Sequence, residues 1–529
     1  MKNKFLLAFL ISFVFNSLNG TIMAKESEIA KKTVKKDDTI KSNLKDISKK
    51  TVLKLNAGRV IRYLLKNNYD VRLILLDYKG TSSALKGYLS KYDVNLFGNV
   101  NYSYKETPNP SEAMFQGQRV SMFNSGIGAT KLFSTGTSLT ATYNSIYMNN
   151  DGITFDPSSI PGYTGGQMGG KSYTTGIKVE VVQELLKNSF GMVERMKEKT
   201  FTNTERIRKE TAKMQLAALL VQGIIGYWNV AIAEESVKTA SENLSSTINI
   251  RNLVARKMRL GLSEREEIFD WNGKVLQSRN NFENAKKRHF DAKLNVIKSL
   301  NLSPTIDIEV GETFNRSEPV ITLARATKDA FIRRIDWNNQ RITLRNSELE
   351  YRIASNEELP SLKLKGSYGT TDYARKYYNT YNTVNNEFSV GLEVTYPLGN
   401  TDASVKMRDA RLKLLKSRLE LKKLEKTIKD EIISVIKQCE TDYKIYLQSK
   451  NSAKFARNYY YQVYRKFKRG RYSAVQLKMA LDGRSLARSA ELQSLVNYNI
   501  SLLRRDLARN YIFKKYKIDI DRILKIVSN

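Results

Sequence analysis

The ionisable residues most able to act together lie at two short breaks in otherwise proline-free stretches. The first break, Gly261-Leu-Ser-Glu, gathers Gly261, Ser263, Glu264, Glu266, Glu267 and Asp270. The second, Gly470-Arg-Tyr-Ser, gathers Arg465, Lys466, Lys468, Arg469, Gly470, Arg471, Ser473 and Lys478, with Asp482 further on. One cluster is acidic and the other basic, so the chemistry they predict is ion pairing. Opposite charges ~4 Å apart attract by a few kcal/mol at an effective dielectric of ~20, less desolvation. Brought together, the two breaks would lock a tip closed. The glycines are expected to end a helix in the left-handed conformation, and Ser263 and Ser473 to cap the next one.

Catalytic chemistry has little to work with. His289 is the only histidine and stands among Lys286, Lys287 and Arg288, where a solvated helix residue is expected. Cys439 is the only cysteine, which excludes a disulfide framework and suits a buried or half-buried thiol. One His and one Cys nearly exclude a zinc site, although an all-carboxylate Ca or Mg site stays open. No glycine-rich phosphate loop or nucleotide motif is present. The expectation is a non-enzymatic protein without a cofactor.

Composition narrows the partners. The formal charge of +35 would suit nucleic acid or an anionic surface, yet the basic residues alternate with acids along helices rather than forming one stripe. Lipid headgroups or envelope polymers are the expected partners, and nucleic acid is not. Met1-Lys-Asn-Lys followed by apolar Phe5 to Phe15 has the form of a secretory signal, here 1–24, with cleavage after Ala24. No other segment reads as the ~18 to 20 apolar residues of a membrane helix, so any crossing is expected to use strands.

Charged turns need elements to position them, and these occur twice. A Lys-rich stretch, 25–55, reads as a flexible basic arm. A first copy, 56–305, opens with a helix over Asn56 to Leu89, then strands at 94–104 and 176–185, then a helical hairpin at 192–300 turning near 261. A second copy, 306–529, has a helix at 322–357, strands at 361–370 and 388–397, and a hairpin at 402–517 turning near 470. A further strand-like hairpin lies at 126–133 and 137–147, and loop composition fills 149–170 and 370–387. Leu412, Leu415, Leu419, Leu424, Ile428, Ile432 and Val435 form a narrow apolar seam beside a wide wet face. Such helices pack side by side as a shell, with a solid bundle as the alternative.

This order resembles the outer-membrane efflux protein family typified by TolC. The carrying residues are Asn68 to Arg72, the Leu-Pro-Ser-Leu run at Leu359 to Tyr368, Val390 to Leu398, the turns at Gly261 and Gly470, and Leu481 to Leu486. The resemblance implies a mostly α fold with a membrane β-barrel portion. Long helical hairpins would form a periplasmic α-barrel, and four strands per chain would complete the twelve-stranded β-barrel of a homotrimer. It further implies a passive exit duct for efflux or type I secretion, set in outer-membrane lipid. A periplasmic adaptor (membrane fusion protein) would open it, and an inner-membrane pump of RND or ABC type would supply energy. The turns would then be the periplasmic aperture and the adaptor-docking site. The family's second turn carries acids at the mouth; Asp482 keeps one such place, whereas Gln476 and Lys478 replace others. The competing expectation is a periplasmic coiled-coil structural or adaptor protein without a pore.

Overall fold

A computed structural model describes residues 52–107, 118–151, 170–311, 314–320, 322–380 and 385–519. The expected signal and the arm as far as residue 51 lie outside these residues, as do 152–169 and 381–384 of the expected loops. In chain order the elements are β1 (Val52–Leu55), α1 (Ala57–Asn67), α2 (Tyr69–Gly80), α3 (Ser83–Leu89), β2 (Asn95–Glu106), β3 (Arg119–Leu132), β4 (Thr137–Asp151) and β5 (Gly170–Glu184). Then follow α4 (Met192–Arg259), α5 (Arg265–Ser299), β6 (Asp307–Val310), α6 (Leu323–Arg333), α7 (Ile335–Glu357), β7 (Ser361–Ala374), β8 (Asn385–Thr395), α8 (Thr401–Lys468), α9 (Ala474–Ala508) and α10 (Ile512–Lys515).

The duplication is exact in the hairpins' lengths. Helices α4 and α8 have 68 residues each, and α5 and α9 have 35 each. Met192 and Thr401, Arg259 and Lys468, Arg265 and Ala474, and Ser299 and Ala508 all differ by 209 positions. Each hairpin also closes alike: Asn301 and Asn510 both take positive φ, of 49° and 51°. Their successors' N–H groups reach back to Ile297 O and Asp506 O, which satisfies carbonyls the helix end would otherwise leave bare.

The shorter helices are more broken than their apolar spacing predicts. The expected 56–89 helix divides into α1, α2 and α3, because Asn68 turns extended (ψ 132°) and Asp70 starts a new first turn. The expected 322–357 helix divides at Arg334 (ψ 126°), with Asp336 accepting from the Trp337 N–H. Periodicity passes through both breaks and hides them. The expected arm is also shorter, since Val52–Leu55 pairs in parallel with Asp307–Val310.

The chain forms two compact units. The first takes 222–315 and 449–496 together with the segment ending at Tyr69. Here β1 lies against α4 and α1 packs on α4 beside it: the Tyr227 hydroxyl donates to Leu55 O at 2.8 Å. Gly223 permits this approach, because a Cβ there would lie 2.3 Å from Leu64 Cδ1. A second core in the same unit joins Ile250, Val254, Trp271, Val463, Phe467 and Leu477. The apolar stretch of α4 is long enough to cross a membrane by length and composition, contrary to the sequence expectation. Its Leu216, Leu220, Ile224, Tyr227 and Val230 are instead buried core.

The second unit takes Asp70–Val221, Arg316–Gln448 and the segment from Asn497. Ala326, Ala330, Ile428, Ile432, Ile436 and Ala508 form a helical core there. Cys439 is buried as expected, donates to Ser501 O at 3.1 Å, and has its thiol pKa pushed up by burial. The rest of this unit's frame is one antiparallel sheet in the order β2-β3-β4-β5-β7-β8. It has six strands among the described residues where four per chain were expected. The strand-like hairpin at 126–147 is a full pair of strands, β3 and β4, inserted between β2 and β5.

The register sorts the sheet into two faces, because side chains alternate along a strand. Leu96, Val100 and Tyr102 of β2 share a face with Phe123 and Ile127 of β3, Tyr143 and Tyr147 of β4, and Ile177, Val179 and Val181 of β5. Tyr368 of β7 and Phe388, Val390 and Leu392 of β8 continue that face. The opposite face carries Asn99, Asn101, Thr130, Thr140, Asn144, Lys178, Lys365, Ser367 and Ser389. Thr130 and Thr140 are hydrogen-bonded across it at 3.1 Å, and Ser367 and Ser389 at 2.8 Å. Many apolar-face side chains are exposed: Leu96 at 81%, Phe388 at 74%, Ile127 at 66%.

Candidate functional site

Both candidate turns are built the same way up to their glycines. Gly261 (φ 67°) and Gly470 (φ 79°) take the left-handed conformation expected of them. The Gly261 N–H bonds to Met258 O and that of Leu262 to Lys257 O; Gly470 bonds to Phe467 O and Arg471 to Lys466 O. This paired pattern closes a helix C-terminus without a side chain.

Beyond the glycines the turns diverge. Ser473 caps α9: its hydroxyl accepts from the Gln476 N–H at 3.3 Å, and its own N–H donates to Gln476 Oε1 at 3.0 Å. That reciprocal pair is a capping box. Ser263 does not cap α5, contrary to expectation. The helix starts at Arg265, so Glu264 occupies the cap position without a side-chain bond, and the Ser263 hydroxyl donates instead to the Glu267 carboxylate. The 209-residue offset pairs Ser473 with Glu264, not with Ser263.

Near the turns, two ion pairs link the hairpins. Lys478 Nζ lies 2.7 and 2.9 Å from the two carboxylate oxygens of Asp270. Lys274 Nζ lies 2.6 Å from Asp482 Oδ1. Along α5 the order is acid then base, four residues apart; along α9 it is base then acid. The two helices therefore mesh in parallel with a constant offset of 208, and neither pair sits beside a like charge at its own level. A third link ties the helix ends, since Lys257 Nζ donates to Phe467 O at 2.7 Å and lies 4.3 Å from that ring's centroid. A cation there complements the negative end of α8.

The structure thus joins Asp270 with Lys478, Ser263 with Glu267, and Ser473 with Gln476, and it gives Asp482 a partner. Glu264, Glu266 and Arg471 are exposed and make no ion pair among the described residues. Lys257, Lys274 and Trp271 were missed by sequence reasoning. The i, i+4 spacing of Asp270 with Lys274, and of Lys478 with Asp482 in reverse order, was the available signal. His289 departs from expectation in being only partly exposed. Its Nε2 is buried without a hydrogen-bond partner, and burial, then nearby Lys293, lowers its pKa. No group of three or more His, Cys, Asp or Glu side chains is gathered as metal ligands among the described residues.

Solved structures share the overall fold. The Campylobacter jejuni CmeC outer-membrane channel superposes with a TM-score of 0.62 at 14% identity, over 91% of this chain and 93% of that one. The fold is that of the TolC-like outer-membrane channels. CusC gives a TM-score of 0.63 at 11% identity, over 86% of this chain and 92% of that chain. The outer-membrane protein VceC of Vibrio cholerae gives 0.62 at 10% identity, over 86% and 95%. No family model and no curated protein sequence matches. The TolC-like fold is therefore shared in the spatial pattern of strands and hairpins at 10–14% identity.

Proposed function

We propose that this protein is an outer-membrane export duct that reaches into the periplasm, a passive conduit formed by three copies of the chain. The observation that carries the reading is the sheet. One face carries exposed apolar side chains on all six strands, interrupted by the polar row Ser125, Ser145, Thr175 and Asp372, while the other is richer in Asn, Ser, Thr and Lys. Strands of this pattern suit lipid on one side and water on the other. An exposed apolar sheet of that size would be an aggregation hazard on a periplasmic scaffold protein.

The hairpin turns are the aperture and the docking site of a periplasmic adaptor in this proposal. Support comes from exposed apolar side chains beside them: Leu260, Leu262, Phe269 and Met479 are all at least 67% exposed. The crossed pairs Asp270–Lys478 and Lys274–Asp482 hold the two turns together until the adaptor competes for that surface. An inner-membrane pump of RND or ABC type supplies the energy.

Membrane fractionation followed by planar-bilayer recording tests this. The expected result is an outer-membrane protein that inserts and conducts, with a salt gradient reporting the selectivity of its mouth. Recovery from the soluble periplasmic fraction, without insertion, would overturn the proposal.

A further inference from the structure

We infer that three copies of this chain close a barrel of eighteen strands, because the inserted hairpin β3–β4 is part of the wall and the free edges of β2 and β8 pair with neighbouring copies. The inference rests on the trimeric duct proposed above and adds what the sheet itself requires.

Three observations place the hairpin in the wall. First, β3 and β4 pair over their whole lengths with each other and with β2 and β5, so they complete the sheet rather than cover it. Removing them from the wall would leave β2 without a partner and β5 with β7 alone. Second, the apolar rows of the neighbouring strands continue through them on either side of a Ser125–Ser145 row: Phe123 stands between Tyr102 and Tyr147, and Ile127 between Gly98 and Tyr143. An extracellular flap would not need a lipid-facing stripe aligned with that of its neighbours. Third, the β3–β4 turn is seated on the entry to α4. The Gly136 N–H bonds to Phe133 O, and Cβ atoms added at Gly136 and Gly191 would collide with the backbone of the opposing segment. Both glycines have positive φ, of 71° and 73°. The hairpin therefore has a fixed base at the helix end of the sheet.

The edges identify the occupant. Among the described residues β2 pairs only with β3, and β8 only with β7. Every residue of both strands is exposed, and their lengths, 12 and 11 residues, differ by one. In hydrocarbon each unpaired backbone group costs several kcal/mol, so both edges must be paired there. Six alternating strands leave β2 and β8 running in opposite directions, so β8 of one copy meets β2 of the next as an ordinary antiparallel neighbour. Six strands are too few to close alone, and a second copy of this same chain supplies a matching edge.

The bore follows from the strand number. At ~4.8 Å between strands and ~40° tilt, eighteen strands close at a backbone diameter of ~36 Å, against ~24 Å for twelve, which is ~1.5-fold wider. The exit at the outer membrane is then not the narrow point of the duct.

Cryo-electron microscopy of the detergent-solubilised full-length protein counts the strands, and native mass spectrometry of the same sample counts the copies. The expected result is three copies and eighteen strands, with β8 beside β2 of the next copy. Three copies around twelve strands, with β3–β4 outside the wall, would overturn the inference and leave the proposed duct standing. Two copies closing twelve strands would overturn the trimer on which both rest.

Discussion

The two copies in this chain agree where helices pack and disagree at their ends and in the sheet. Position 209 residues after Trp271 is Ala480, and both are buried in one core. A bulky side chain from one copy and a small one from the other thus share a core, so the repeats pack as one unit and neither changes length alone. At the far end of the hairpins the equivalence breaks chemically. Copy one has buried Val296, Ile297 and Leu300; copy two has Arg505, Asp506 and Arg509 at the same three places. Asp506, 3% exposed, contacts Arg505, Arg509 and Lys515 at 3.1, 2.8 and 2.8 Å. One repeat is finished by apolar burial and the other by a compensated charge.

The strands teach the complementary lesson. A helix pair locked by interdigitation cannot gain a residue without losing its register, whereas an antiparallel sheet gains a hairpin as a whole unit. The insertion of β3–β4 keeps β2 and β5 antiparallel to their new neighbours and changes neither face. Copy one accordingly has four strands and copy two has two, while the hairpin helices remain equal to the residue.

The largest expected effect comes from breaking the charged end. Burial alone would raise the pKa of Asp506, but Lys515 and then Arg505 and Arg509 outweigh it and hold the carboxyl below its ordinary 3.8. A depressed folded pKa means that the stabilisation is complete above the unfolded value and is lost as pH falls through the folded one. Asp506→Asn leaves Arg505 and Lys515 without their carboxylate and Arg509 with Asp329 alone, and costs about 3–5 kcal/mol at neutral pH. Its loss of stability on acidification is smaller than that of the parent. Ile297→Val, at the equivalent place in copy one, costs about 1 kcal/mol with no pH dependence of its own. Hydrogen exchange at the ends of α5 and α9, at pH 7 and pH 3, reads both; equal acid sensitivity at the two ends would break the contrast.

A smaller effect is expected at the crossed pairs. Asp270 and Lys478 are 51% and 33% exposed, so solvent screens them and each contributes about 0.5–1 kcal/mol. Asp270→Lys and Lys478→Asp each set like charges face to face, and the double exchange restores the attraction. The coupling from that cycle should be about 1 kcal/mol and shrink with salt. Closed-state conductance is expected to rise in both single variants and return in the double. Additive effects would mean that the pair does not hold the turns.

Most of the architecture was legible because helices and half-exposed strands write their periods into the chain. The hairpins expected at 192–300 and 402–517 from absent prolines and paired glycines stand at Met192–Ser299 and Thr401–Ala508, the second ending earlier than expected. What stayed hidden had physical reasons. The breaks at Asn68 and Arg334 fall within unbroken apolar spacing, so only the backbone reveals them. Strands β3 and β4 were visible as a hairpin, but alternation cannot say whether a hairpin joins a sheet. At the turns, residue types predicted opposite charges, while the partners depended on the 208-residue mesh of α5 on α9, which no local pattern encodes.

The smallest expected effect sharpens the comparison of the two turns at one atom. Glu264 stands where copy two has Ser473, and Glu267 where copy two has Gln476. Copy one therefore already has the acidic third residue of a capping box and lacks only the short side chain at the cap. Glu264→Ser supplies a hydroxyl able to accept from the Glu267 N–H, and it frees that carboxylate from Ser263 to return a bond to the backbone. The expected gain is about 0.5–1 kcal/mol, read as slower hydrogen exchange in the first turn of α5 with no change in α9. If exchange is unchanged, the glutamate already serves the helix start through its charge at the positive end of the dipole, and the two turns differ in chemistry without differing in strength.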